Sequence, residues 1–254
     1  AASDVYKRQP SGLSRGAKRK KAPDKAAAGF CDCKSAYFMI EVYRIIRKRK
    51  RGKMVEGQSP LEESDEGKMI YFTADSHFGH ANIIKHCGRP FADVAEMDEV
   101  LLANWNRKVS ESDEIYILGD LFFRCAEPEK LLRALNGRKH LILGNHDDSW
   151  IAGGTTSRKS KVEPANYFES VDLMLELTLC GHRMTLCHYP LLEWKHDGRA
   201  YMIHGHIHNN TAFGYWNLIR ERERILNAGV EVNGYEPVSF EELVENNRKF
   251  KEEH

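Results

Sequence analysis

The stretch MIYFTADSH at residues 69–77 combines two features that decide the fold: a short apolar run and, directly after it, charged and imidazole side chains. The run from Met69 to Ala74 is typical of a buried β-strand. The same pattern returns as IYILGD at residues 115–120 and as HLILGNHD at residues 140–147. Each of these predicted strands therefore ends in a polar cluster that could carry chemistry.

Segments with helical spacing separate the predicted strands. Residues 94–109 carry apolar side chains at helical intervals, which predicts a helix with one buried face. Residues 128–135 predict a shorter helix that stops at Asn136-Gly137. The order β-α-β-α-β predicts a largely parallel central sheet with right-handed crossovers. Ligands of such sheets bind at the carboxyl ends of the strands, where the polar clusters lie.

The second half of the chain is richer in predicted strands, which we expect at residues 171–179, 183–187, 200–203 and 225–230. The first two flank Cys180-Gly181-His182, which predicts a hairpin turn. Near the C-terminus, Ser239-Phe-Glu-Glu242 is a capping box and predicts the start of a final helix.

The composition excludes several classes of protein. The chain has 254 residues, a formal net charge of +1, 41% hydrophobic residues and 30% charged residues, which excludes collagen-like and wholly disordered chains. No apolar run approaches the ~18 residues that a membrane-spanning helix needs. The six cysteines form no C-x-x-C pair, and the opening residues do not resemble a secretory signal. We therefore expect reduced thiols and a cytoplasmic protein.

Residues 1–68 differ in charge from the rest of the chain. They hold 17 Lys+Arg and 9 Asp+Glu, whereas residues 69–254 hold 21 and 28 together with all twelve histidines. We predict a disordered basic extension and an acidic linker over 1–68, and a folded domain over 69–254. Residues 36–51 leave open a membrane-surface or nucleic-acid-binding helix. It is also open whether the extension is part of the native protein.

Side chains of metal-ligand type follow the predicted strands: Asp75, His77, Asp120, Asn145, His188, His206 and His208. Such mixed nitrogen and oxygen donors suit Mn²⁺, Fe, Zn²⁺, Co²⁺ or Ni²⁺ better than Mg²⁺ or Ca²⁺. Seven donors are too many for one catalytic ion that keeps an open position. Shared between two ions roughly 3.5–4 Å apart, they leave room for water and substrate in phosphoryl chemistry. We expect two divalent transition-metal ions, with Mn²⁺ favoured.

Five sequence blocks occur in a fixed order: D-x-H at 75–77, G-D at 119–120, G-N-H-D at 144–147, His188 after a strand, and G-H-x-H at 205–208. In this order the chain resembles the calcineurin-like metallophosphoesterase superfamily over residues 69–254, and most closely its compact bacterial and phage-type members. The resemblance implies an α/β fold of two facing mixed β-sheets flanked by helices. This four-layer α-β-β-α sandwich would carry a dinuclear metal site at its strand ends.

The resemblance also implies a role for each residue. The first ion would be held by Asp75, His77 and His208, and the second by Asn145, His188 and His206. Asp120 would bridge the two ions. The implied reaction is hydrolysis of a phosphomonoester or phosphodiester by in-line attack of a metal-bridging hydroxide. His146 would face the substrate as a protonated imidazole and assist the leaving oxygen.

One position departs from the protein-phosphatase branch of the superfamily. That branch has an acidic residue three places after the Asp of G-D, which pairs with the catalytic His, whereas this chain has Phe123. The departure argues against a Ser/Thr protein phosphatase. Two further residues are candidates for substrate contact. His80 could line the substrate side or cap the next helix, and Arg124 could hold a phosphate oxygen or be solvated.

Three alternatives to a phosphoesterase of small substrates stay open. A nuclease could use the basic extension for backbone contacts, although residues 69–254 carry a balance of −7 (21 Lys+Arg minus 28 Asp+Glu). A metal-binding scaffold without catalysis would share the fold, although every ligand position is filled. A structural zinc protein is disfavoured because closed zinc sites prefer Cys-rich sets. A small phosphate ester is therefore the favoured partner, and the oligomeric state is not predicted.

Overall fold

The computed structural model describes residues 67–152 and 161–254. The extension predicted over residues 1–68, with Cys31 and Cys33, lies outside these residues except for its last two positions. Within the described residues, Cys87, Cys125, Cys180 and Cys187 form no disulfide. No described helix combines the length and the apolar character that crossing a membrane requires.

The described residues contain eight strands in two sheets. The first sheet has the order β1 (Ile70–Thr73), β2 (Glu114–Ile117), β3 (Arg138–Ile142), β4 (Ser170–Asp172). The second has the order β5 (Met174–Leu179), β6 (His182–Cys187), β7 (Tyr201–His204), β8 (Ile225–Asn227). The helices are α1 (Ala81–Cys87), α2 (Val94–Lys108), α3 (Pro128–Ala134), α4 (Trp216–Arg220) and α5 (Phe240–Glu253), with short 3₁₀ turns at Asp147–Ser149 and Pro164–Asn166.

All pairings within the first sheet are parallel, as the β-α-β order predicts. Thr73 pairs with Ile117, and Ile117 in turn pairs with Leu141. The three strands therefore end level with one another, and the polar segments that follow them emerge at one edge of the sheet. This register is what brings distant sequence blocks together.

The second sheet is mixed. β5 and β6 form an antiparallel hairpin, whereas β6, β7 and β8 pair in parallel. The hairpin turn is the predicted one: Cys180 and Gly181 have φ values of 50° and 74°, as a two-residue turn of this kind requires.

The strand predicted over residues 171–179 is in fact two strands in different sheets. β4 pairs with β3 of the first sheet, and β5 pairs with β6 of the second. The chain crosses between the sheets at Leu173. Because the crossing residue is itself apolar, the sequence carries no polar break that would indicate two strands.

Three apolar clusters define the layers. Phe72 and Ile142 of the first sheet pack with Met184 and Ile203 of the second, which forms the core between the sheets. The other face of the first sheet packs on α2 and α3 through residues such as Trp105. The outer face of the second sheet packs on α4 and α5. The predicted α-β-β-α sandwich is thereby confirmed.

Side-chain caps mark the starts of two helices. Asp93 caps α2 by accepting hydrogen bonds from the backbone N–H groups of Ala95 and Glu96. The capping box of Ser239 and Glu242 at the start of α5 is present. The sequence analysis did not predict α1 or α4, because helices of seven and five residues are too short to show a repeating apolar face. α3 also has seven residues, but the stop signal at Asn136-Gly137 indicated it.

The loops after β2 and β3 approach each other so closely that Gly119 has no room for a side chain. Its φ is +85°, and a Cβ there would lie 2.4 Å from His188 Nδ1 and 2.7 Å from Gly144 Cα. Gly181, in the β5–β6 turn, has a similar φ of +74°, but no other heavy atom of the described residues lies within 4 Å of its Cβ position. A comparison of alanine substitutions at Gly119 and Gly181 therefore distinguishes the cost of steric crowding from the cost of backbone strain.

We predict that Gly119→Ala lowers the free energy of unfolding by roughly 3–5 kcal/mol, because ~1–2 kcal/mol of left-handed strain adds to the cost of overpacking. Gly181→Ala should lose only the strain, ~1–2 kcal/mol. Urea unfolding followed by circular dichroism measures both. Equal losses for the two variants would contradict the close approach of the loops.

Candidate metal centre

Five of the seven predicted ligands have a left-handed backbone, with φ between 50° and 72°: Asp75, His77, Asp120, His206 and His208. Residues other than glycine adopt this conformation at a cost of ~1 kcal/mol or more each, and such residues cluster at functional sites. In this chain the conformation turns each side chain back towards the ends of the strands. The strained backbone conformations therefore occur at the same residues that the sequence motifs identify as candidate ligands.

The first group of ligand-type atoms lies at the end of β1. The ligand-type atoms of Asp75, His77 and His208 lie within 4.8 Å of one another. Asp75 Oδ2 accepts a hydrogen bond from the His206 backbone N–H at 2.8 Å. Asp75 Oδ1 and His77 Nε2 are buried and have no hydrogen-bond partner in the described part of the chain. Buried nitrogen and oxygen atoms without partners fit a bound cation.

The second group lies at the ends of β3, β6 and β7. His188 Nδ1 donates to the Leu118 carbonyl at 2.8 Å, which leaves Nε2 with a lone pair. That Nε2 lies 3.0 Å from Asn145 Oδ1, and His206 Nδ1 lies 3.0 Å from the same oxygen. A lone pair on His188 facing the amide oxygen is unfavourable unless a cation lies between them.

Asp120 lies between the two groups. Its Oδ2 is 3.7 Å from His77 Nε2 of the first group and 3.5 Å from His188 Nε2 of the second. Its Oδ1 accepts a hydrogen bond from the His146 backbone N–H at 2.8 Å, which fixes the plane of the carboxylate. Asp75 also approaches the second group, since the ligand-type atoms of Asp75, Asp120 and His188 lie within 4.8 Å of one another.

Burial dominates the electrostatics of most of these groups. His208 is the exception: burial lowers its pKa, but Asp75, Cys87 and Glu231 outweigh that effect and raise the pKa to about 11. Burial raises the pKa of Asp75 to about 6 and raises the pKa of Asp120 well above its usual value, where the nearby Asp147 adds to the effect. Burial also lowers the pKa of His77 strongly and that of His206 to about 3. Carboxylates and neutral imidazoles concentrated in this way would be stabilised by a divalent ion, because the ion favours the deprotonated form of every one of them. The residues therefore fit a metal.

His146 lies beside these groups and is partly open to solvent. Its side chain is 36% exposed, and its Nε2 is 3.9 Å from Asp120 Oδ2. Its ring packs edge-on against Phe123, with centroids 4.7 Å apart. Burial lowers the pKa of His146, which favours the neutral ring until an anionic group binds next to it. Phe123, the residue three places after Asp120, thus contacts His146 through an apolar ring and not through a carboxylate.

His80 and Arg124 differ in their surroundings. His80 stands at the N-cap position of α1, but its side chain caps no helix N–H among the described residues. Instead its Nδ1 lies 3.2 Å from His77 Nδ1, and burial lowers its pKa to about 4. Arg124 is exposed, with its guanidinium 5.3 Å from the centre of the Phe123 ring.

A groove of about 720 Å³ opens onto these side chains. His77, His146 and His208 line its inner end, together with His80, and residues 209–213 line its outer part. None of the described residues that line the groove is Lys or Arg. The groove offers space for a small molecule beside the candidate metal centre.

Sequence reasoning gave no role to several buried polar residues. The clearest case is Asp147, the last residue of G-N-H-D, which is fully buried. Its Oδ2 accepts hydrogen bonds from the backbone N–H groups of Asp120 and Gly144, at 2.9 and 2.8 Å. Its Oδ1 accepts from Leu121 N and Trp150 Nε1. Asp147 therefore joins the loops after β2 and β3, and only its place in the motif could have indicated this.

We predict that Asp147→Asn lowers the free energy of unfolding by about 3 kcal/mol or more. All four partners are donors, so the new NH₂ group must face N–H groups and leave them unpaired. Asp148→Asn, at the next and only half-buried position, should lose less than about 1 kcal/mol. Urea denaturation measures both variants, and similar losses would contradict the role of Asp147.

Comparison with known proteins agrees with this geometry. The chain is 35% identical to the uncharacterised protein MJ1445 of Methanocaldococcus jannaschii over 180 residues, which is 70% of this chain and 90% of that protein. It is 31% identical to a gene 66 protein of a Mycobacterium phage over 163 residues, 55% of this chain and 78% of the phage protein. The crystal structure of AQ665 from Aquifex aeolicus, a protein of unknown function, superposes with a TM-score of 0.53 at 27% identity and covers 70% of this chain and 99% of that one.

The family model for calcineurin-like phosphoesterases matches residues 68–229. This segment contains all five sequence blocks and both groups of ligand-type atoms. Proteins of this family typically bind divalent metal ions and hydrolyse phosphoesters. The chain belongs to the calcineurin-like phosphoesterase family.

Proposed function

We propose that this chain is a dinuclear metal-dependent phosphoesterase that hydrolyses a small phosphomonoester or phosphodiester. The observation that carries the proposal is the position of Asp120 Oδ2, which lies between His77 Nε2 at 3.7 Å and His188 Nε2 at 3.5 Å. A carboxylate placed between two sets of nitrogen and oxygen donors suits a bridge between two ions.

The proposed ligand sets follow the two groups of atoms. The first ion is assigned to Asp75, His77 and His208, and the second to Asn145, His188 and His206, with Asp120 shared. When bound, the ions would supply a hydroxide near neutral pH and neutralise the phosphoryl oxygens. Mn²⁺ is the proposed ion, with Fe, Zn²⁺, Co²⁺ and Ni²⁺ as alternatives, because the donors mix nitrogen and oxygen.

The protein contributes orientation and a proton. The Leu118 carbonyl holds His188 as the tautomer with a free Nε2, and the His146 backbone N–H holds Asp120. The His146 ring stands at the inner end of the groove, where a bound phosphate would raise its low pKa and favour protonation. We assign His146 to protonating the leaving oxygen, with Phe123 fixing the plane of the ring.

The groove supports a small substrate over a nucleic acid. Proteins that bind a polyanionic backbone present Lys and Arg along the binding surface. Among the described lining residues there is none, and residues 69–254 carry a balance of −7 (21 Lys+Arg minus 28 Asp+Glu). The nuclease alternative thus has no support from this surface. Location in the cytoplasm stays a prediction from the reduced cysteines.

We predict that metal-stripped protein regains hydrolysis of p-nitrophenyl phosphate or bis-p-nitrophenyl phosphate when Mn²⁺ is added. The Asp120→Asn variant should lose roughly 10²-fold or more in kcat, because it removes the charge shared by both ions. Initial rates and metal content per chain are measured together. Asp197→Asn, outside the groove, serves as the control and should keep both.

Two results would contradict the proposal. One is wild-type protein that retains no metal after reloading and gel filtration. The other is an Asp120→Asn variant that binds metal and turns over like the wild type.

We predict that the loss of kcat caused by His146→Ala depends on the leaving group of the substrate. An alkyl phosphate needs a proton on the departing oxygen, so its kcat should fall by roughly 10²–10⁴-fold. A p-nitrophenyl ester leaves readily without a proton, so its kcat should fall less than about tenfold. Steady-state rates on both esters measure this, with His86→Ala on the same groove as control. An equal loss on both esters would argue against proton donation.

A further inference from the structure

A buried ion pair lies next to the candidate metal centre and is not part of any sequence block. The side chains of Arg89 and Glu231 are 0% and 1% exposed and lie 142 positions apart in sequence. Arg89 donates to Glu231 Oε1 from Nε at 3.0 Å and from Nη2 at 2.6 Å. Glu231 lies beyond the segment matched by the family model, which ends at residue 229.

Glu231 contacts one of the proposed ligands directly. The same Oε1 lies 2.9 Å from His208 Nδ1 and accepts a hydrogen bond from it. A carboxylate that accepts from Nδ1–H fixes the tautomer of the imidazole and leaves Nε2 as the free donor atom. His208 is thus held in the form that a metal ion requires.

Arg89 connects this contact to the other side of the first ligand group. Its Nη2 also donates to the Asp75 carbonyl at 2.7 Å, and its Nη1 donates to the Ser76 carbonyl at 2.9 Å. One guanidinium therefore binds the backbone of the D-x-H segment and, through Glu231, the imidazole of His208. These two segments must meet for the first ligand group to exist.

A metal ion held by Glu231 itself is the competing interpretation. Cys87, His208 and Glu231 place their ligand-type atoms within 4.8 Å of one another. Glu231 Oε1 already accepts from Arg89 and His208, so only Oε2, which is buried without a hydrogen-bond partner in the described residues, could hold an ion. A cation bound there would still lie beside the buried positive charge of Arg89. The contact with Arg89 favours an orienting role for Glu231 over a ligating one.

A contribution to folding stability does not by itself explain why Arg89 and Glu231 are buried as an ion pair. Burying two charges costs several kcal/mol of desolvation, and apolar side chains of similar volume often stabilise a core as well or better. A pair that is buried, hydrogen-bonded to a ligand-type imidazole and tied to the backbone of a second ligand segment has the geometry of an orienting device.

We propose that Arg89 and Glu231 are positioning residues that fix the His208 tautomer and hold His208 against the D-x-H segment. The proposal deepens the proposed function, since it rests on a metal ion bound by Asp75, His77 and His208. It adds two residues to the site that no motif contains.

The test is metal titration of the isosteric variant Glu231→Gln by isothermal calorimetry with Mn²⁺ and Zn²⁺. We expect one of the two sites to lose 10–100-fold in affinity while the other is unchanged. Excess Mn²⁺ should restore most of kcat, and KM should change little. Glu236→Gln, which breaks the surface pair with Arg107, is the matched control and should bind both ions normally.

A second measurement uses wild-type protein only. In the Zn²⁺-loaded form, long-range ¹H–¹⁵N spectra should assign His208 as protonated on Nδ1. An Nε2-protonated His208 overturns the proposal, even if Glu231→Gln does not fold.

The outcomes separate the two claims. Wild-type protein that binds no metal overturns the proposed function. Wild-type protein that binds metal, with Glu231→Gln binding both ions at wild-type affinity, overturns only the positioning role. A purely structural pair would lower the melting temperature and leave the affinities of the folded variant unchanged, which also counts against positioning.

Discussion

The backbone-to-backbone approach of the loops after β2 and β3 is the constraint on which the site depends. Parallel register brings the strand ends level, and Gly119 and Gly144 allow the loops to meet without side chains between them. Asp147 then accepts hydrogen bonds from backbone N–H groups of both loops and so fixes the distance between the loops. The contact between these two loops therefore determines the position of Asp120 between the two groups of ligand-type atoms.

A second consequence of the junction is electrostatic. The loops place carboxylates and imidazoles in a region where water does not reach, so burial moves their pKa values towards the uncharged forms. Hydrogen bonds inside the protein satisfy some of these atoms, but Asp75 Oδ1 and His77 Nε2 have no partner among the described residues. The fold supports this arrangement, and a divalent ion would complete it.

Much of this could be predicted from the sequence, because β1, β2 and β3 of the first sheet contain apolar runs that end in polar motifs. The hairpin turn and the capping box follow from period and turn chemistry that neighbouring residues encode, whereas the four-layer arrangement was predicted from the family resemblance of the five sequence blocks. The crossing at Leu173 could not be predicted, because an apolar residue joins β4 to β5 without a break. Arg89 and Glu231 were missed for a different reason: their contact depends on tertiary packing across 142 positions, and neither lies in a motif.

The proposed ligands come from both sheets, with Asp75, His77, Asp120 and Asn145 after strands of the first and His188, His206 and His208 after strands of the second. Their relative positions therefore depend on the apolar layer between the sheets, where Phe72 packs with Met184 and Ile203. A shift of about 1 Å between the sheets is the scale at which catalysis is lost. In evolution, this inner layer should drift more slowly than the outer contacts of the helices, although it touches no substrate.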